Sequence, residues 1–141
     1  MANYKNGIDT KNRLYTSAKK LFFDGGYCGT TVSDIVNHAD SKLGLFTYYF
    51  DSKEAVATDI MNEFFDDIMK NLINAKYVLY SSNDMLFIDM VEYRARFMCI
   101  ISSKNASRFY TELSATQTFI KNNRETRQEA FNKLLGRSKY F

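Results

Sequence analysis

Apolar residues recur along this chain at helical spacing, and short polar interruptions divide them into elements. Leu14, Ala18, Leu21 and Phe22 stand at i, i+4, i+7 and i+8, one stripe of a first helix. Residues 1–8 are polar and Asn6-Gly7 favours a turn, so this helix is expected to begin near Asp9 or Thr10. Gly25-Gly26 ends it, because glycine accepts the left-handed backbone of a helix terminus. Thr31 predicts an N-cap, and Asp34 three residues later completes a capping-box pattern. Val32, Ile35, Val36 and Ala39 follow at helical spacing, so the second helix is short. Asp40 and Ser41 interrupt it, since both side chains compete for the backbone and favour turns and caps. A third short helix runs through Leu43, Phe46 and Thr47, with Phe46 and Phe50 expected on the core side and Leu43 able to face either way. Asp51 or Ser52 caps the next helix, whose first turn holds Glu54 against the helix dipole.

From Lys53 to about Tyr80 two rows recur every four residues, Val56, Ile60, Phe64, Ile68, Leu72 and Ala57, Met61, Phe65, Met69, Ile73. The double row makes an apolar face wide enough to meet two layers. Ser81-Ser82-Asn83-Asp84 breaks the pattern. A helix from about Asp84 to Ile101 is expected to bury Leu86, Met90, Tyr93, Phe97, Ile100 and Ile101. After a break at Ser102–Asn105, residues 106–120 form another, with Phe109, Tyr110, Leu113 and Ile120 inside. Beyond Asn122-Asn123 a basic helix carries Ala130, Phe131, Leu134 and Leu135 and stops at Gly136. The chain has no proline, which suits an all-α fold.

Two short helices joined by a tight turn, the second rich in groove-sized polar and aromatic groups, describe a helix-turn-helix. Thr30-Thr31-Val32-x-Asp34-Ile35-Val36, then Gly44, then Tyr48-Tyr49-Phe50-x-Ser52-Lys53-Glu54 resembles the amino-terminal signature of TetR-family transcription regulators. Ala18-x-x-Leu21-Phe22-x-x-Gly25-Gly26-Tyr27 is similar to the end of that family's first helix. The resemblance spans residues 9–56, roughly a third of the chain. There is one departure: Thr47 stands where the family usually has a tyrosine on the DNA backbone, which leaves that contact to Tyr48 or Tyr49.

The resemblance implies an all-α architecture, a three-helix DNA-binding bundle followed by a helical ligand-binding and dimerisation region. Residues 1–52 would form the helix-turn-helix DNA-binding domain and residues 53–141 the effector-binding and dimerisation domain, with the long helix linking them. Family members carry further helices, the last two forming the dimer interface. The second region is therefore expected to be incomplete, either in a fragment or in a short member that dimerises differently.

Charge adds little. Residues 1–55 hold seven Lys/Arg against six Asp/Glu, residues 56–107 five against seven, and residues 108–141 seven against three. A near-neutral first segment is compatible with DNA but does not argue for it, because a helix-turn-helix needs only a local cluster of donors. Cys28 and Cys99 lie far apart with no metal-ligand spacing and read as reduced thiols. Met1 is followed by a polar segment, and no run approaches the roughly 18 apolar residues of a membrane span. The expectation is a soluble cytoplasmic protein without membrane partners.

Catalytic chemistry finds no support. The single histidine, His38, has no nucleophile or carboxylate at a catalytic spacing. Asp66 and Asp67 are adjacent and so point to different helix faces, against a paired acid/base or metal site. Gly25, Gly26 and Gly29 lack the spacing of a phosphate loop. No catalytic residue, metal site or cofactor is expected.

DNA-contact candidates are better placed. Lys42 can reach a guanine edge or a phosphate. Lys53 combines a cation with the start of a helix, a pairing suited to a phosphate. Thr31 and Ser33 open the second helix, and Ser41, Leu45, Thr47, Tyr48 and Tyr49 complete the set on the third, where one tyrosine is expected to stack on the first helix. Each alone is an ordinary surface residue, and the motif joins them. Met61, Phe64, Phe65, Met90, Tyr93, Phe97 and Tyr110 give the second region an aromatic and methionine-rich interior. Such stripes are ordinarily core. The resemblance implies that a small, often hydrophobic effector binds there. The reading is a sequence-specific transcriptional regulator, a homodimeric repressor on a double-stranded operator released by a small hydrophobic ligand. The alternative is a helical ligand-binding or interaction module that keeps the motif as scaffold.

Overall fold

The structure is a computed structural model. It describes the backbone of residues 2–75, 85–121 and 124, and the side chains of 7–71, 90–121 and 124. The described residues are all helix, turn or loop, an all-α fold. Six helices follow in order: α1 (Ala2–Gly25), α2 (Val32–His38), α3 (Leu43–Tyr49), α4 (Lys53–Ala75), α5 (Met85–Ser102) and α6 (Lys104–Ser114), after which 117–121 is again helical. The expected break at 81–84, the stretch to Tyr80 and the basic helix ending at Gly136 lie outside the described residues, as do the side chains of Leu72, Ile73 and Leu86.

α1 begins at Ala2, well before the Asp9 or Thr10 start that the sequence suggests. Gly7 lies inside it, where a Cβ would stand 3.2 Å from the Tyr49 hydroxyl. A glycine that reads as a turn signal thus marks close passage of α1 over the end of α3, and tertiary contact overrides local propensity. At the other end Gly26 takes φ +84, and its N–H closes α1 by donating to the Phe22 carbonyl at 3.0 Å.

The capping box of α2 forms as expected. The Asp34 N–H donates to Thr31 Oγ1 at 3.1 Å and the Thr31 N–H to Asp34 Oδ2 at 2.8 Å. These bonds, with the hydroxyl of Thr31 first, lower the pKa of Asp34. Between α2 and α3, Asp40 adopts φ 45, which an aspartate tolerates better than most residues. The Ser41 N–H then donates to the Val36 carbonyl at 3.0 Å and seals the turn.

One apolar cluster holds these pieces. Leu14, Ala18 and Phe22 of α1 meet Ile35 and Val36 of α2, Phe46 of α3, and Val56, Ile60 and Met61 of α4, all buried. Phe109 and Leu113 of α6 belong to the same cluster, with the Phe109 ring 5.3 Å from Phe22 and 5.3 Å from Phe23. The core therefore runs across the expected boundary at residue 53. α1 is also tied to α4 by the Tyr15 hydroxyl, which donates to Glu63 at 2.9 Å, and by Lys19 3.2 Å from the same carboxylate. Burial and then that bond raise the Tyr15 pKa.

Two expectations about the second region are corrected. Among the described side chains of α5 only Ile100 is buried; Met90, Tyr93, Phe97 and Ile101 are exposed, Met90 at 72%. Beyond Ser114 the helix does not continue to residue 120. It breaks at Ala115–Thr116, where the Thr116 hydroxyl donates to the Leu113 carbonyl at 2.7 Å. The restart shifts the helical phase, so Phe119 is buried and Ile120 exposed.

Candidate nucleic-acid interface

α3 divides its side chains as its length requires. Phe46 and the following Phe50 point into the core, their rings 5.4 Å apart. Leu43, Leu45, Thr47 and Tyr48 point outward, Tyr48 at 78% exposure. A Cβ on Gly44 would meet nothing within 4 Å, so no neighbouring helix explains this glycine. Its roughly 1 kcal/mol cost relative to alanine in a helix has no compensation from packing within the chain.

The sequence candidates divide on this scaffold. Thr31, Ser33, Lys42, Leu45, Thr47 and Tyr48 are exposed. Lys42 is the N-cap of α3, and among the described residues it makes no ion pair. Thr47 turns its hydroxyl back on its own helix, donating to the Gly44 carbonyl at 3.2 Å. Ser41 and Tyr49 depart from an outward placement. Ser41 is half-buried with its Oγ enclosed. Tyr49 is half-buried against α1, the stacking tyrosine of the pair, with its ring 5.0 Å from that of Tyr48. Leu43, which the periodicity left open, joins the outer face.

Lys53 differs most from expectation. Its ammonium turns inward and donates to the carbonyls of Tyr27 and Thr30, each at 3.0 Å, while standing 4.1 Å above the Tyr27 ring. Nothing in the spacing of the motif signals this, because Tyr27 lies 26 residues away. Burial is the main cause of the raised Tyr27 pKa. At the start of α4 the Ser52 hydroxyl accepts the Ala55 N–H at 3.0 Å, which settles the choice of cap. Glu54 accepts the Phe119 N–H at 3.3 Å.

Among the described residues the effector candidates take different places. Met61 is buried in the common core. Phe64, Phe65 and Tyr110 are half-buried beside it, Phe65 and Tyr110 with ring centres 6.1 Å apart. Met90, Tyr93 and Phe97 stand exposed on α5. A cavity of about 890 Å³ lies elsewhere, an open groove lined by Asp9, Arg13, Ser17, His38 and Asp40 among others. There the His38 Nδ1 is 3.0 Å from the Ser17 hydroxyl. Among the described residues no group of His, Cys, Asp and Glu could hold a metal ion, and no helix is long and apolar enough to cross a membrane.

A capped short helix, a tight turn and a second short helix with an exposed outer face define a helix-turn-helix domain. Comparison with known proteins names its kind. Residues 14–60 match the family of bacterial regulatory proteins, tetR family. An HTH-type transcriptional regulator from the lacX 3' region of Lactococcus lactis subsp. lactis is 32% identical over 66 residues, 47% of this chain and 34% of that protein. The HTH-type transcriptional repressor DhaR of Mycobacterium sp. (strain GP1) is 32% identical over 62 residues, 44% of this chain and 31% of that protein. The biofilm operon icaADBC HTH-type negative transcriptional regulator IcaR of Staphylococcus aureus (strain Newman) is 28% identical over 110 residues, 75% of this chain and 54% of that protein. No solved structure matches. Residues 14–60 are thus similar to the amino-terminal helix-turn-helix of the tetR family, and the chain spans between about a third and about half of the length of these curated relatives.

Proposed function

We propose that this chain is a DNA-binding transcriptional regulator, a cytoplasmic repressor that lays α3 in the major groove of a double-stranded operator. The observation that carries the reading is the outer face of α3. Leu43, Leu45 and Tyr48 are exposed there beside a Gly44 with open space before it. A short helix that leaves large apolar side chains in water and a glycine without a neighbour is suited to a surface that closes on it from outside. Thr31 and Ser33 at the start of α2, and Lys42 at the start of α3, would supply phosphate contacts. Thr47 would lend only acceptor capacity. The sign of regulation follows the relatives named as a repressor and a negative regulator.

The finer parts of the proposal divide the chain near residue 53 into a DNA-binding part and an effector and dimerisation part. The protein acts as a homodimer on a palindromic site, with half-sites about 34–36 Å apart or a multiple of that distance. A small hydrophobic ligand releases it through a coupling of about 1–3 kcal/mol. The alternative, a motif kept only as scaffold, would follow if Asp40, Asp51 and Glu54 neutralised Lys42 and Lys53. Instead Glu54 is committed to Phe119, and Lys42 has no ion-pair partner among the described residues.

Operator selection from a random duplex pool tests the reading. An enriched palindrome is expected, and Tyr48→Ala should weaken its binding by about 1–3 kcal/mol without loss of thermal stability. Failure to enrich any sequence, with binding equal on all duplexes, would favour the scaffold reading.

A further inference from the structure

We infer that Lys53 and Glu112 act as positioning residues, two jaws that hold the loop from Gly26 to Thr30 and thereby aim the amino end of α2. This inference rests on the DNA-binding reading for its purpose, though not for its geometry. The loop connects α1 to Thr31, the N-cap of α2. From one side the Lys53 ammonium of α4 donates to the Tyr27 and Thr30 carbonyls at 3.0 Å each and lies over the Tyr27 ring. From the other side Glu112 of α6 accepts the Cys28 N–H at 2.7 Å. The Glu112 carboxylate also fills the space beside Gly26, where a Cβ would lie 2.7 Å from Oε2. Arg108, one turn earlier on α6, reaches the Asp24 carbonyl at the end of α1. Inside the loop the Thr30 hydroxyl lies 2.8 Å from the Gly26 carbonyl and 3.1 Å from that of Leu21.

The chemistry of the two jaws is complementary. A cation takes the carbonyls of Tyr27 and Thr30 and an anion takes the Cys28 N–H, so both polar groups of the Tyr27–Cys28 peptide are held by charge-assisted bonds. A seven-residue helix has too few internal bonds to fix its own direction, so the segment before its cap decides where Thr31 and Ser33 point. Two of the three ammonium donors of Lys53 are used inside the protein, and a cation used in this way is a poor phosphate ligand.

The test compares Lys53→Met, Lys53→Arg and Glu112→Ala with the parent chain on a random-sequence DNA duplex across a NaCl series. Amide hydrogen exchange on the DNA-free proteins runs alongside. The positioning role predicts that Lys53→Met lowers affinity about tenfold. The slope of log affinity against log salt should stay nearly unchanged, and Lys53→Arg should restore binding, since a guanidinium also donates twice and stacks on a ring. Glu112→Ala removes a negative charge, so simple electrostatics predicts tighter DNA binding and the positioning role predicts weaker. Exchange should accelerate at Cys28, Thr31, Asp34 and Ile35 in Lys53→Met and Glu112→Ala while the core of α1 stays protected. A salt slope smaller by about 0.9 for Lys53→Met, with α2 exchange unchanged, would make Lys53 a phosphate ligand and overturn the inference. Tighter binding by Glu112→Ala would overturn the role of Glu112. If the parent chain bound no duplex, the DNA-binding reading would fall, and the exchange data would still decide whether the two jaws hold the loop.

Discussion

The helix-turn-helix and α5 are opposites in how length relates to burial. α2 and α3 have seven residues each, far below what an isolated helix needs in water, yet Ile35, Val36 and Phe46 sit in the common core. α5 has 18 residues and a strongly apolar composition, yet Met90, Tyr93, Phe97 and Ile101 are exposed along one stripe. The short helices persist because they pack on α1 and on each other and share one apolar core with α4 and α6. A helix of any length keeps its apolar stripe in water where no such surface reaches it. Apolar content marks what a helix is able to bury, and its neighbours decide what it does bury.

The sharpest way to break this comparison is to remove the common support. Phe22 is fully buried and touches both Tyr27 and Phe109. Phe22→Ala should cost about 3–5 kcal/mol, read from urea unfolding, with α2 and α3 lost in the same transition. Separate melting of the two short helices would show that they do not depend on the shared core.

A smaller effect is expected at the loop. Gly26→Ala places a side chain at φ +84, against the Glu112 carboxylate. The cost should be about 1–2 kcal/mol in thermal or chemical unfolding. A neutral result would mean that the loop relaxes freely and holds nothing.

The link between α4 and the segment after α6 is smaller again and depends on pH. The Thr116 hydroxyl, and after it Thr118 and the Phe119 N–H, lower the pKa of Glu54 from its usual value near 4.5. A carboxylate with a depressed folded-state pKa adds stability that is present above the unfolded value and fades as pH falls through the folded one. Unfolding midpoints should therefore drop from about pH 4.5 downward, and Glu54→Gln should lower stability at pH 7 and flatten that acid limb, so that parent and variant converge at low pH. An acid limb identical in the variant would count against the link.

The least effect is expected on α5. Phe97→Ser should shift stability by less than about 0.5 kcal/mol, because its ring is more than half exposed. A loss of 2 kcal/mol or more would show the stripe to be covered in solution, and the contrast between the two regions would fall.

Much of the amino-terminal part could be read from the residues alone. The capping box of Thr31 and Asp34, the stripe from Leu14 to Phe22, the end of α1 at Gly25 and the inward pair Phe46 and Phe50 are local patterns. Each depends on bonds or faces within a few residues, so the chain states them directly. The exposed contact candidates on α2 and α3 follow from the same periodicity.

What the tertiary structure decided involves partners far apart in sequence. Gly7 lies within α1 with the Tyr49 hydroxyl beside it, where a Cβ would stand 3.2 Å away. Lys53 faces inward because the Tyr27 and Thr30 carbonyls meet its ammonium, and Glu112 grips Cys28 across 84 residues. Phe119 is inside and Ile120 outside because a break at Ala115–Thr116 resets the helical phase. The stripe on α5 carries the same apolar signal as the buried face of α1. Periodicity reports which face of a helix is apolar, and only the assembled chain determines whether another surface arrives to cover it.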